Sequence, residues 1–389
     1  MSLQSGISPV SIQRYHLEKK VFCFLFIVML LTPFIWMCFM SPIQFEFESG
    51  QFQQTKNNFE NDFNQNFGLR NELIHLNNYL SVRFLKYSPV KKVLLGSNDW
   101  LFIDVDTDGS IIDRTYRTST HLDEKTLQIW AKRLSLREKW LRDRGISYYF
   151  VISPEKSTIY PEFLPNRINK VQQTTRYDQL MEYLQSNQSD FEYLDTKKIL
   201  LEQKDIAPYP LYYQTDSHWN SYGAFIIYQN LMDLIDNDFP STLTLDETHF
   251  NIYCENTSGG DLTRLISATD HYSDHEIIFE RIKGTPYYHN ENQAIPEKLK
   301  QYNRPTIYHY CETCPDITVL VLRDSFSNAL IPHISKTFRH TRYVYSHSMT
   351  EELITAVQPD IVIDEIAERF LHRPLSEPEA AHLDEIPLD

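Results

Sequence analysis

The sequence predicts an α/β domain built on a mostly parallel sheet, preceded by one N-terminal transmembrane helix. Three observations carry this expectation. Apolar strand-like runs alternate with helical periodicity along the chain, the pattern of βαβ units. An uncharged apolar run, Val21 to Met40, has the length needed to cross a bilayer. Asp216, His218 and Ser325 fall beside the ends of predicted elements, where open α/β sheets place their chemistry.

The N-terminal run is flanked by Arg14, Lys19 and Lys20 before it and by Glu46 and Glu48 after it. The basic flank stays in the cytoplasm, so everything after residue 45 is expected on the far side of the membrane. Pro33 interrupts the run. A cleavable signal peptide is the competing reading, but the run is long for one and no small-residue cleavage pattern follows. The expected organisation is a cytoplasmic start over 1–20, an anchor over 21–40, a stalk over 41–90, a catalytic domain over 91–373 and a loose acidic tail over 374–389. Within the stalk, Phe52, Phe59, Phe63 and Phe67 recur at helical spacing, which predicts an amphipathic helix between Phe45 and Asn71.

Composition narrows the function classes. A formal net charge of -15 excludes a nucleic-acid groove and a flat basic surface for anionic lipid. Only 10 glycines occur, with neither a G-x-G-x-x-G nor a Walker-type phosphate loop, so no nucleotide cofactor is expected. Of five cysteines, Cys23 and Cys38 sit in the apolar run. Cys311 and Cys314 could form a redox motif, half a zinc site or a local disulfide; no second ligand pair at zinc spacing accompanies them, which favours the disulfide. His309, His333, His340 and His347 show no metal-ligand spacing, so they read as structural or surface residues and no metal is expected.

Taken in order, Val93 to Phe102 reads as strand, tight turn and strand. Leu127, Trp130, Leu134 and Leu141 mark a helix between Leu122 and Arg144, followed by a strand over Ser147 to Ile152. Pro154, Pro161 and Pro165 mark a long ordered loop; a helix near Thr174 to Ser186 and a short strand from Phe191 to Leu194 come next. A helix over Ser221 to Ile235 leads into a less regular insertion, about 240–317, with a turn at Ser258-Gly259-Gly260-Asp261. Alternation resumes with strand Thr318–Leu322, a short helix, strand Arg342–Tyr345, helix Glu351–Val357 and strand Ile361–Ile363.

Asp216 and His218 are two apart, so in an extended segment both side chains leave one face and the carboxylate can hold the ring's Nδ1–H. Ser325 follows an apolar strand and precedes a short helix, the setting of an exposed nucleophile. The alternative is that Asp216 and His218 only buttress the following helix and Ser325 is a turn residue.

Several segments together resemble the alginate O-acetyltransferase family, the AlgJ/AlgX-like proteins, over roughly 59–373. They are Gly96-Ser97-Asn98-Asp99-Trp100-Leu101-Phe102, the loop Pro154 to Pro165, Asp216-Ser217-His218-Trp219-Asn220, the Ser325-Phe326 turn and the closing Pro359 to Arg369. The resemblance implies an SGNH-hydrolase-like three-layer αβα domain with Asp216, His218 and Ser325 as a triad. It implies acetyl transfer to a polysaccharide hydroxyl outside the cytoplasmic membrane, with a membrane-bound O-acyltransferase as donor partner. An acetylesterase of the same fold and a non-catalytic glycan-binding protein are the other readings. Lys156, Tyr160, Trp219, Asn220, Arg323 and Arg369 are the substrate-binding candidates. Lys156 and Tyr160 could equally brace their loop, and Arg369 reads better as an ion-pair partner. Arg323 stands where the family commonly has Gly, and a side chain crowding the turn there would alter the oxyanion pocket.

Overall fold

The computed structural model describes residues 9–40, 60, 69–104, 122–165, 174–187, 191–240, 242–290 and 306–378. The chain divides into two compact units, Met1–Leu85 and Lys86–Asp389.

The first unit holds helices α1, Pro9–Met40, and α2, Arg70–Arg83. Within α1 the side chains from Val21 to Leu31 are exposed. Among the described residues no helix is long and apolar enough to cross a membrane, so the span expected over 21–40 rests on the sequence. The amphipathic helix expected around Phe52, Phe59, Phe63 and Phe67 lies outside the described residues.

The second unit opens with hairpin strands β1, Val93–Leu95, and β2, Leu101–Ile103. Asn98 and Asp99 turn between them at φ 53° and 62°, the left-handed pair that two-residue hairpins demand. Gly96 is obligatory here, because a Cβ would lie 2.4 Å from the carbonyl oxygen of Phe163. Helix α3, Glu124–Arg142, starts where the Asp123 carboxylate accepts the Thr126 N–H at 2.7 Å. It buries Leu127, Trp130, Leu134 and Leu141 as expected, and with them Arg137. Strand β3 is Ser147–Ser153; α4, Arg176–Ser186, begins in a capping box of Thr175 and Asp178; β4 is Glu192–Leu194. Helix α5, Thr196–Gln203, is missing from the sequence reading: its two turns are too short for a periodic signal, and Asp195 caps it. Helix α6, Ser221–Asp236, follows.

The insertion is more ordered than its aperiodic sequence suggests. It forms the antiparallel hairpin β5, Phe250–Ser258, and β6, Ser273–Arg281, and then gives the main sheet two strands, β7, His289–Asn290, and β8, Ile307–Tyr310. A disulfide joins Cys311 to Cys314 in the turn to β9, Thr318–Leu322. Strand β10, His340–Val344, helix α7, Glu351–Val357, and β11, Ile361–Ala367, complete the domain.

The seven-stranded sheet runs β4-β3-β11-β9-β10-β8-β7. Its first five strands are parallel, whereas at one edge β8 runs antiparallel to β10 and β7 antiparallel to β8, so the sheet is mixed. Neighbouring residues of β3 show that both faces are covered, because successive side chains point to opposite sides. Tyr148 reaches Asp364, the partner of Arg137 on α3, while Tyr149 donates to Asp238 at the end of α6 at 2.6 Å. Strand β11 runs four residues beyond its expected end, since Asp364 and Glu365 hide inside it. The start of the supposedly loose tail is pinned: Arg133 donates to the carbonyls of Pro374 and Leu375, and Arg137 to that of Ser376.

Candidate active site

Ser325 stands three residues past β9, at the carboxyl end of the parallel strands, where a 3-10 turn, Phe326–Ala329, begins. Asp324 shapes that turn. One carboxylate oxygen accepts the Phe326 N–H at 2.8 Å and the other accepts the Ala367 N–H at 2.6 Å, which ties the end of β9 to β11. This turn is shorter than the helix expected after Ser325, so helix-dipole assistance carries little weight there.

The second half of the site is the loop before α6. Tyr212 and Trp219 pair as an isolated antiparallel bridge, which makes residues 213–218 a tight bend rather than the extended segment expected. Asp216 Oδ1 accepts the backbone N–H of His218 at 3.1 Å and lies 2.7 Å from His218 Nδ1. His218 Nε2 lies 2.8 Å from Ser325 Oγ. The imidazole therefore bridges a carboxylate and a hydroxyl that are 109 residues apart, and it can take the hydroxyl proton while its Nδ1–H stays on Asp216. Burial alone would push the Asp216 carboxyl up, but hydrogen bonds and charge from His218, with the Asp261 N–H, hold it well below the usual carboxylate range.

The insertion clamps this bend. Asp261 donates its N–H to Asp216 Oδ2 at 2.9 Å, and its carboxylate accepts the Ser217 N–H at 2.8 Å and the Ser217 hydroxyl at 2.6 Å. Asp274 accepts the N–H groups of Gln214 and Thr215 and the Thr215 hydroxyl. Gly260 permits the approach, because a Cβ on it would lie 2.5 Å from that of Asp216. These carboxylates escaped the sequence reading; the Gly259-Gly260 pair in a glycine-poor chain was the one available signal. Asp216, His218 and Asp261 bring three potential metal-ligand atoms within 4.8 Å of one another, yet each is engaged by the bonds just given.

Of the substrate-binding candidates, most are placed as supports. Lys156 is buried and its ammonium donates to the carbonyls of Tyr213, Gln214 and Asp216 at 3.1, 3.0 and 2.6 Å. Burial lowers its pKa to about 8, although Asp274, Asp216 and Asp261 favour the charge. The Tyr160 hydroxyl accepts the Leu211 N–H at 3.0 Å. Trp219 is fully buried, donating Nε1–H to the carbonyl of Phe326 at 2.9 Å, which fastens one half of the site to the other. Asn220 caps α6 through the N–H groups of Tyr222 and Gly223. Arg369 grips Glu155 through two bonds of 2.6 and 3.0 Å. Arg323 does not fill the turn: its guanidinium lies over Tyr345 and donates to the Asp324 carbonyl and to Asn328 Oδ1 at 3.0 and 2.8 Å.

His218 and Ser325 open on a cavity of about 560 Å³, walled by Gly259, Gly260, Ile277 and Phe279 of the insertion and by Asn328 and Lys336. His333, deep in the same cavity, is pushed down to about 3 by burial and is neutral.

A family model described as "SGNH hydrolase-like domain, acetyltransferase AlgX" matches residues 93–293. The structure is similar to that of PatB1 from Bacillus cereus, at 17% identity and a TM-score of 0.52, over 72% of this chain and 96% of that one. PatB1 carrying a sulfonyl adduct gives a TM-score of 0.50 at 17% identity, over 73% of this chain and 100% of that one. The O-acetyltransferase domain of Pseudomonas putida AlgJ gives 0.46 at 17% identity, over 75% and 95%. At such identities the likeness speaks to the fold alone. No curated protein matches the chain.

Proposed function

Because the chain belongs to the AlgX family of SGNH-hydrolase-like acetyltransferase domains, we propose that it moves acetyl groups onto a polysaccharide hydroxyl through an acetyl-Ser325 intermediate. One observation carries the reading: Ser325 Oγ, His218 Nε2, His218 Nδ1 and Asp216 Oδ1 form one hydrogen-bonded line facing a cavity, with links of 2.8 and 2.7 Å.

In this reading Ser325 Oγ attacks the acetyl carbonyl of an ester donor while His218 Nε2 takes its proton, and Asp216 stabilises the imidazolium. The tetrahedral intermediate collapses, the donor's oxygen leaves with the proton from His218, and acetyl-Ser325 remains. A sugar hydroxyl then attacks, giving its proton to His218, which returns one to Ser325 Oγ as the acetylated product departs. The developing oxyanion is met by the side-chain amide of Asn328, since the Phe326 N–H of the turn is held by Asp324 and the Asn328 N–H by the Ser325 carbonyl. Residues i and i+3 of a 3-10 turn share a face, and Arg323 holds Asn328 Oδ1, which leaves the amide nitrogen to donate. Removing one such donor typically costs about 2.7 to 4 kcal/mol of barrier.

We place this chemistry outside the cytoplasmic membrane, on a chain anchored once by residues 21–40 and fed by a membrane-bound O-acyltransferase. Support comes from the exposed apolar side chains of α1, Phe22 at 71% and Met29 at 63% among them, from the basic residues before them, and from the disulfide Cys311–Cys314. The test uses the full chain in detergent with an activated acetyl ester and an oligosaccharide. The expected result is an acetyl adduct on Ser325 and acetylated sugar, both lost in Ser325→Ala. Acetylation of the sugar by Ser325→Ala at the wild-type rate overturns the mechanism, and free acetate as the sole product overturns transfer.

A further inference from the structure

Glu365 of β11 is fully buried directly beneath the Ser325 turn, and no step of the proposed chemistry uses it. The strand register explains its position. Asp364 pairs with Leu322, the last residue of β9, so Glu365 projects where β9 has left the ladder, and its side chain fills the gap. Oε2 accepts the Ser327 hydroxyl at 2.7 Å and the Asp324 N–H at 3.3 Å; Oε1 is hydrogen-bonded to Ser153 Oγ at the end of β3. One carboxyl thus joins both sides of Ser325, residues 324 and 327, to the neighbouring strand.

A second buried carboxyl stands beside it. Asp324 takes two main-chain N–H donors, the environment of an ionised carboxylate. Glu365 is served mainly by hydroxyls, which receive a proton as readily as they give one. Among the described residues Arg323 also carries a charge towards it, but its guanidinium bonds elsewhere, to the Asp324 carbonyl and Asn328; β3 and the 3-10 turn present Ser153 and Ser327. Two unpaired carboxylates buried side by side would repel in a medium that solvates neither.

We propose that Glu365 is a positioning residue for Ser325: its buried carboxyl, bonded through Oε1 to Ser153 and accepting at Oε2 from Ser327 and Asp324, clamps the turn that aims the hydroxyl at His218. The proposal rests on the reading of Ser325 as nucleophile. Burial, with the Asp324 charge, raises the Glu365 pKa to about 8. Above that pH the clamp carries a charge against Asp324, and the Ser153 hydroxyl turns from accepting to donating.

The experiment measures the rate at which a sulfonyl fluoride modifies the full-length chain, and its thermal stability, from about pH 5 to pH 9. In wild type, modification should fall above about pH 8, to roughly one tenth of its plateau one unit higher. Glu365→Gln, whose amide both accepts and donates, should keep the plateau, and Glu365→Ala should be slower at every pH. Stability gives a second readout. The folded pKa lies above the usual 4.5, so the stabilising effect is whole below about 4.5 and is lost as the pH rises towards 8. The melting temperature of wild type should therefore fall relative to Glu365→Gln across that window. An alkaline fall in Glu365→Gln equal to that of wild type, or a melting difference independent of pH, overturns the proposal. Equal modification of Ser325→Ala and wild type is a separate result: the nucleophile reading fails, and the positioning role with it.

Discussion

The ammonium of Lys156 reaches the main-chain carbonyl of Asp216 at 2.6 Å while lying over the rings of Trp100 and Phe102. A residue that sequence places among possible substrate contacts is instead a three-pronged brace under the bend that carries Asp216 and His218. Lys156→Met keeps the apolar stem and removes the donors, leaving three carbonyls to find water or none. Each buried acceptor left unsatisfied costs about 1–3 kcal/mol, and displacement of the bend by an ångström can cost about a hundredfold in rate. The expected outcome is a lower melting temperature and slowed modification of Ser325; an unchanged modification rate would reject the brace.

Asp216 supplies a pH-dependent test. Its folded pKa is depressed, so the stability it contributes is present above the ordinary carboxyl range near 3.8 and disappears as the pH falls below it. Asp216→Asn is expected to flatten the acid side of the stability curve. The same change offers His218 Nδ1 an amide that can present the wrong partner and tautomer, which in serine hydrolases costs about 10⁴ in turnover. Acid titration of the melting temperature, alongside single-turnover acylation, checks both.

Arg369 and Glu155 form an ion pair whose side chains keep only 16% and 13% exposure. Breaking a buried pair typically costs about 3–5 kcal/mol, and the residual exposure sets this one near the low end. Arg369→Gln is expected to lower the melting temperature while leaving KM for the acceptor unchanged. A raised KM at normal stability would restore Arg369 to the substrate.

The Cys311–Cys314 disulfide closes a very short loop in the turn before β9, whereas Ser325 follows the far end of that strand. Chain-entropy arguments give such a loop about 2 kcal/mol. Replacing both cysteines with serine is expected to lower the melting temperature by several degrees and to leave the acylation rate at Ser325 as in wild type.

Much of this molecule is legible in its one-dimensional pattern. The run Thr318–Leu322 could only be a buried strand, Glu351–Val357 ends as the helix its periodicity describes, and Asn98-Asp99 folds the hairpin that its positive φ tolerance allows. Asp216, His218 and Ser325 are recognisable by residue type, and they meet, although the Asp216–His218 segment is a bend and not the extended run its spacing suggests. Such features are local: a few neighbouring side chains and one solvent-facing or buried side suffice to specify them.

The supports of the site have no such local origin. Asp261 and Asp274 come from a stretch without periodicity, Lys156 reaches across about sixty residues to the Asp216 bend, and Glu365 hides in a strand that its own charge argues against. Each is a buried polar group whose stability depends on one distant hydrogen-bond partner. That partner is supplied by strand order, by the crossing of the insertion over the bend and by the β11 register beside β9, none of which a residue's neighbours in sequence encode.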